Sequence, residues 1–144
     1  MQLTAVLAAL ALPLLAHAAS ASISYDQTYD NGSQSTLALA CSDGANGLAA
    51  EFPTLGAFPG FPRVGAASAV AGWNSASCGK CFRLAYGRQS LYFTAADHAG
   101  AVGGTESAFV VSLAALNKLT NGQGAAVGRV TGTAQEVASS FCGL

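Results

Sequence analysis

The chain has 144 residues, of which 9% are charged (6 Lys+Arg against 7 Asp+Glu, formal net charge −1), and Met1 to Ala18 contains no Asp, Glu, Lys or Arg. All the charge therefore belongs to residues 19–144, a length that supports one domain with its own core and is too short for two. Such sparse charge excludes long-range electrostatic binding to nucleic acid or an anionic membrane and favours an uncharged partner, while 51% hydrophobic residues and 4 Cys exclude disorder.

Thr4 to Ala16 is an unbroken apolar run of secretory length, below the ~20 residues that a membrane helix needs. Ala16-His17-Ala18 puts small residues at −3 and −1 of a cleavage site, and Ala19-Ser20-Ala21 is a second such triplet. A signal peptide over residues 1–18, cleaved after Ala18 or alternatively Ala21, and a secreted, extracellular chain are expected. A buried N-terminal helix is the competing reading, but the run has no polar face. No later segment approaches spanning length, so no membrane partner is expected.

Secretion changes how Cys41, Cys78, Cys81 and Cys142 read: an even count in an oxidising compartment predicts two disulfides, with three connectivities open. Cys78-Gly79-Lys80-Cys81 has the C-x-x-C spacing of thiol oxidoreductases, where a helix start activates the first thiol. The residues that follow alternate like a strand instead. Zinc is not expected, because His98 is the sole histidine after residue 18 and no second C-x-x-C exists. No metal or other cofactor is predicted.

In chain order, Ser24 to Asp30 reads as a first extended segment ending in a polar turn, and Leu37 to Cys41 alternates weakly. Cys41 to Gly65, punctuated by glycines and by Pro53, Pro59 and Pro62, reads as loop. Phe82–Tyr86 and Ser90–Ala95, joined at Gly87-Arg88, read as a hairpin. Ser107–Lys118 has helical spacing and stops at Thr120-Asn121-Gly122. Ala125–Thr133 is a last strand region, with a short extended piece after it. About six short strands and one helix in a chain of this size predict a small barrel.

Hydrolysis of a sugar bond by protein carboxylates needs two of them across one cleft. Asp26 and Asp30 sit where Asx side chains cap their own backbone, and Glu106 and Glu136 read as solvated. Asp97 ends an apolar strand and opens onto a loop, a position where sites gather, although a carboxylate accepting backbone N–H bonds in the turn is an equal reading. Asp43 reads first as turn chemistry. One well-placed carboxylate does not complete a hydrolase, so no enzymatic activity is expected. A groove for a neutral polysaccharide needs an aromatic platform with neighbouring donors and acceptors; Trp73, Asn74, Asp43, Asn46 and Tyr25 are the candidates, with a core position as the alternative for Trp73.

Ser24-Tyr25-Asp26, Tyr29-Asp30, Cys41-Ser42-Asp43-Gly44-Ala45-Asn46-Gly47-Leu48, Val70-Ala71-Gly72-Trp73-Asn74-Ser75, Cys78-Gly79-Lys80-Cys81, Asp97-His98-Ala99-Gly100 and Leu119-Thr120-Asn121-Gly122 occur in this order. Together they resemble the cerato-platanin family of small secreted fungal proteins, over about Ser22 to Leu144. The resemblance implies a mainly β chain with short helices, a six-stranded double-psi β-barrel, with disulfides Cys41–Cys78 and Cys81–Cys142. It also implies binding of chitin or N-acetylglucosamine oligomers and wall polysaccharide, expansin-like loosening without hydrolysis, and elicitation of plant defence through plant surface receptors. The protein would be a cell-wall-associated monomer with Asp97 tied to loosening. One departure follows Asp97: Ala101 to Ala108 intervenes before Phe109, and Val110 stands at the expected helix start where the family's sugar-contacting Asn would fall. Two other classes compete, a glycan-cleaving barrel enzyme and a self-assembling surface-active wall protein; hydrophobins, which typify the latter, carry eight cysteines, twice the 4 found here.

Overall fold

The computed structural model describes residues 18–144; the expected signal peptide, apart from Ala18, lies outside the described residues. Six strands, β1 (Ala19–Tyr25), β2 (Val64–Ala67), β3 (Cys81–Tyr86), β4 (Gln89–His98), β5 (Ser107–Val111) and β6 (Arg129–Val137), close into a barrel in the order β1-β5-β2-β4-β3-β6. β1 with β5 and β2 with β4 are parallel, and the remaining neighbours are antiparallel. This is the double-psi barrel expected from the resemblance. Two short helices, α1 (Leu113–Leu119) and α2 (Gly124–Val127), separate β5 from β6.

Period-2 alternation builds the β3–β4 hairpin. Phe82 faces Phe93 and Leu84 faces Leu91 across the ladder, and all four are buried. Gly87 opens its turn at φ 56°, a backbone state that glycine adopts without steric cost. Inside the barrel Phe109 meets Phe82 and Phe93 edge-on at 5.2 and 5.7 Å, surrounded by Ile23, Leu84, Val111 and Leu116. A second cluster outside the barrel, with Tyr29, Leu39, Phe52, Leu55 and Phe58 over Val64 and Ala96, anchors the irregular chain between β1 and β2. Both disulfides form with the implied pairing, Cys41–Cys78 and Cys81–Cys142, across separations of 37 and 61 residues. Loop-closure entropy assigns about 4 kcal/mol of stabilisation to each.

Several predicted elements differ. β1 starts at Ala19 and ends at Tyr25, and Gln27–Asp30 is a 3₁₀ turn, so the first extended segment lies earlier than the sequence suggests. Of Leu37 to Cys41, read as weakly alternating, Leu37 and Ala38 belong to a second 3₁₀ turn, Thr36–Ala38. β2 was hidden in the Gly/Pro-rich stretch: Val64-Gly65-Ala66-Ala67 is buried at all 4 positions and shows no alternation. Ser107–Lys118 is not one helix. β5 buries the adjacent Ala108 and Phe109 on opposite faces, so its apolar run shows no alternation, continues into the helical one and imitates a 3.6-residue period. The helix begins only after Ser112, whose hydroxyl accepts from Ala115 N, while Asp30 accepts from the Leu113 and Ala114 N–H groups at 2.7 and 3.0 Å. Ala125 to Val127 is helical, and β6 then runs unbroken through Gly132. A Cβ on Gly132 would stand 2.2 Å from the Ala85 carbonyl oxygen, so this close approach to β3 requires glycine.

Candidate functional site

The indole of Trp73 is 64% exposed, so the core alternative does not hold. Its Nε1–H donates to Asp43 Oδ1 at 2.7 Å. That bond holds the Asp43 carboxyl below the usual carboxylate range, assisted by the Asp43 backbone N–H and the Ser42 hydroxyl. Asn74 adopts a left-handed backbone at φ 57°. In that conformation its Oδ1 accepts from Asn46 N at 2.8 Å and its carbonyl accepts from Asn46 Nδ2 at 3.0 Å. Gly44, at φ 85°, lets the two segments touch: a Cβ there would lie 2.8 Å from Asn74 Oδ1 and 3.0 Å from Trp73 Cζ2. Asp43, Asn46, Trp73 and Asn74 thus form one surface cluster from two loops about 30 residues apart in sequence.

The C-terminal end of β4 holds both loops. Cys41 N donates to Ala96 O at 3.1 Å, Ala40 N donates to Asp97 Oδ1 at 2.9 Å, and His98 Nδ1 lies 2.6 Å from Val70 O. The Cys41–Cys78 disulfide then closes the bracket around residues 43–46 and 73–74. Asp97 has both oxygens engaged: Oδ1 also accepts from His98 N at 2.9 Å, and Oδ2 accepts from the Tyr29 hydroxyl at 2.8 Å. Burial first, and then the negative charge of Asp97, push the Tyr29 hydroxyl far above the ordinary tyrosine range, so it remains a donor. Of its two sequence readings, Asp97 makes the contacts of the turn-capping one. Tyr29 escaped the sequence reading, because an aromatic in a turn carries no signal that it is buried beneath a distant strand end.

Tyr25 ends β1, half-buried against the main core, and forms no hydrogen bond to the Trp73 cluster. Val110 lies within β5, paired with Ser24 and Ala66 and packed against the outer apolar cluster, not at a helix start. The segment before it docks on β1: Glu106 accepts from Ser20 N and donates its own N–H to Ser20 Oγ, at 3.0 and 2.9 Å. Glu106 is therefore engaged where solvation was expected, as is Glu136, which pairs with Lys80 at 3.1 Å. Asp26 caps its own turn through Thr28 N, as read from the sequence; Asp30 instead caps α1.

Beside the cluster runs an open depression of about 520 Å³, with Asp43 and Gly44 on one wall and Ser35, Leu37, Ala49 and Pro53 on the others. Leu37 is 65% exposed at its edge. An isolated exposed leucine looks like any core leucine in sequence, so this wall could not be foreseen. Among the described residues no group of three or more His, Cys, Asp or Glu is arranged to hold a metal, and no helix is long and apolar enough to cross a membrane.

Fold and site together define a small disulfide-bonded six-stranded barrel that presents an aromatic platform beside an open groove. The cerato-platanin family model matches residues 21–144. The chain is 44% identical over 121 residues to "Allergen Asp f 15" of Aspergillus fumigatus, covering 84% of this chain and 76% of that one. Among solved structures it superposes on cerato-platanin 2 from M. perniciosa with TM-score 0.81 at 42% identity, covering 87% and 99% of the two chains. It also superposes on the solution structure of the fungal elicitor Cerato-Platanin with TM-score 0.73 at 37% identity, covering 84% and 95%. The chain belongs to the cerato-platanin family.

Proposed function

We propose that this protein is a secreted, non-hydrolytic binder of cell-wall glycan, chitin oligosaccharides above all, acting through the Trp73 platform and the adjoining groove. The observation that carries this reading is the exposed indole held edge-on by Asp43. A pyranose stacks its C–H face on an aromatic ring, while the second Asp43 oxygen and Asn46 Oδ1 are available to sugar hydroxyls or an acetamido group. Asp43 is the one carboxylate lining the groove, and a carboxylate hydrolase needs a second across from it. A structural relative is a fungal elicitor, which supports an elicitor role for this protein, and expansin-like wall loosening fits binding without cleavage.

The test is a titration with chitin oligomers followed by amide shifts, expected at Asp43, Asn46, Trp73 and Asn74 and weakened by Trp73→Ala. Absence of shifts there would overturn the site, and release of new reducing ends would overturn the non-hydrolytic reading. A surface-active role draws on the same exposed Trp73 and Leu37; a surface-tension trace equal to buffer would remove it.

A further inference from the structure

A second aromatic surface lies on the outer face of the β3–β4 hairpin. The rings of Tyr92 and Phe141 stack with centroids 4.9 Å apart and planes 25° from parallel, and Phe141 remains 56% exposed. Phe141 belongs to the 3₁₀ turn Ser139–Cys142, which the Cys81–Cys142 disulfide fastens to β3, so its ring is held over Tyr92 by a covalent tie one residue away. Two depressions meet at this stack and share Tyr92 and Arg63. One, of about 400 Å³, extends toward Lys118 and Ala114; the other, of about 290 Å³, extends toward Ser140 and Gly143.

The charge around it has one sign. Arg63 lines both depressions, Lys118 lines the first, and Arg83 stands beside Tyr92 in the β3–β4 register. No Asp or Glu lines either depression. Among the described residues neither the Arg63 nor the Arg83 guanidinium has a hydrogen-bond or ion-pair partner, whereas Lys80 is paired with Glu136. Arginine forks bind carboxylate in bidentate geometry, and an open aromatic face accepts a saturated ring.

We propose that this face is a second glycan site, selective for polysaccharide bearing uronic acid: Phe141 and Tyr92 take the sugar ring, Arg63 and Arg83 take the carboxylates, and the Ser90 and Ser140 hydroxyls meet sugar hydroxyls. A polyuronate offers a carboxylate on each ring, matching ring platforms interleaved with cations. A nucleic acid also combines rings with anions, but it gains affinity from many phosphate contacts, and three cations provide few. The proposal does not depend on the Trp73 site, which lies on other loops and would take uncharged sugar.

The protein, titrated at low salt with an oligogalacturonate, its methyl ester, a chitin oligomer and a single-stranded DNA oligonucleotide, separates the possibilities by amide shifts. The oligogalacturonate is expected to shift Arg63, Arg83, Tyr92 and Phe141, with the methyl ester binding about tenfold more weakly, the scale of a lost charge-assisted contact. Arg63→Gln and exposed Phe141→Ala, each checked for an unchanged melting curve, are expected to weaken oligogalacturonate about tenfold and leave chitin-induced shifts at Trp73 unaltered. Equal binding of the ester, preference for the oligonucleotide, oligogalacturonate shifts confined to the Trp73 cluster, or no shifts with oligogalacturonate would each overturn the proposal.

Discussion

Tyr29 donates its hydroxyl to Asp97 Oδ2 at 2.8 Å, across 68 residues of sequence. The other Asp97 oxygen accepts from Ala40 and His98 N–H, so one carboxylate fixes the turn after β1, the start of the disulfide-bracketed loop and the end of β4. Asp97→Ala leaves these donors without their acceptor and is expected to destabilise the fold by about 1–3 kcal/mol. Asp97→Asn, which keeps one carbonyl oxygen for the two N–H groups, is expected to lose less. Thermal melts of the two variants check the order, and equal stability of Asp97→Ala and wild type would remove the structural role. A loss of wall activity in Asp97→Ala is interpretable only against this background.

The same pair predicts an alkaline signature. The Tyr29 hydroxyl is raised above its unfolded value, so the folded state holds a proton that the unfolded state releases. Its contribution is complete below about pH 10 and is lost progressively as pH rises beyond it. In a tyrosinate absorbance titration one of the 4 tyrosines should ionise only as the protein unfolds, and that delayed step should vanish in Tyr29→Phe.

At the acid end, Trp73 reports on Asp43. The Asp43 pKa is depressed in the folded state, so the contribution of its bond to Trp73 Nε1 is full above the unfolded value of about 4 and is lost as pH falls below it. The chain has 1 Trp, so its fluorescence should change in that acidic window and the change should be absent in Asp43→Asn.

Gly44→Ala is predicted to damage the platform without touching an aromatic residue. It forces a left-handed backbone on an L side chain, which costs about 1–2 kcal/mol, and it drives a methyl group into Asn74 and Trp73. The melting temperature should fall, and chitin-induced shifts at Trp73 should weaken together with it.

Strand pairing at the start of β1 bears on where a signal peptide would be cleaved. Ala19, Ser20 and Ala21 pair with Ala134, Thr133 and Gly132 of β6, and Ser20 also binds Glu106 and Ser107. Cleavage after Ala21 would strip these ladder bonds from a closed barrel, so if residues 1–18 are removed as a signal peptide, the mature chain should begin at Ala19. N-terminal sequencing that reads Ser22 would contradict this.

The β3–β4 hairpin was legible because its alternation and its turn are both local. β2 and β5 were not: β2 is buried at all 4 positions and β5 at the adjacent Ala108 and Phe109, and burial on both faces removes the period that marks a strand. In the site, Asp43, Asn46, Trp73 and Asn74 were legible as residue types, but their joining depends on the left-handed Asn74 and the close approach at Gly44. Tyr25 shares their chemistry and lies against the core instead.

The sequence by itself determined the cysteine count that allows two disulfides, the hairpin and a low charge density, since each is a property of composition or of neighbours in the chain. Tertiary structure alone decided that Trp73 faces outward and that Asp97 spends its oxygens on the fold. It also decided where the charge sits. A net charge of −1 sums over all faces, whereas binding at a surface responds to charge within about a Debye length, and barrel closure brings Arg63, Arg83 and Lys118 around one aromatic stack.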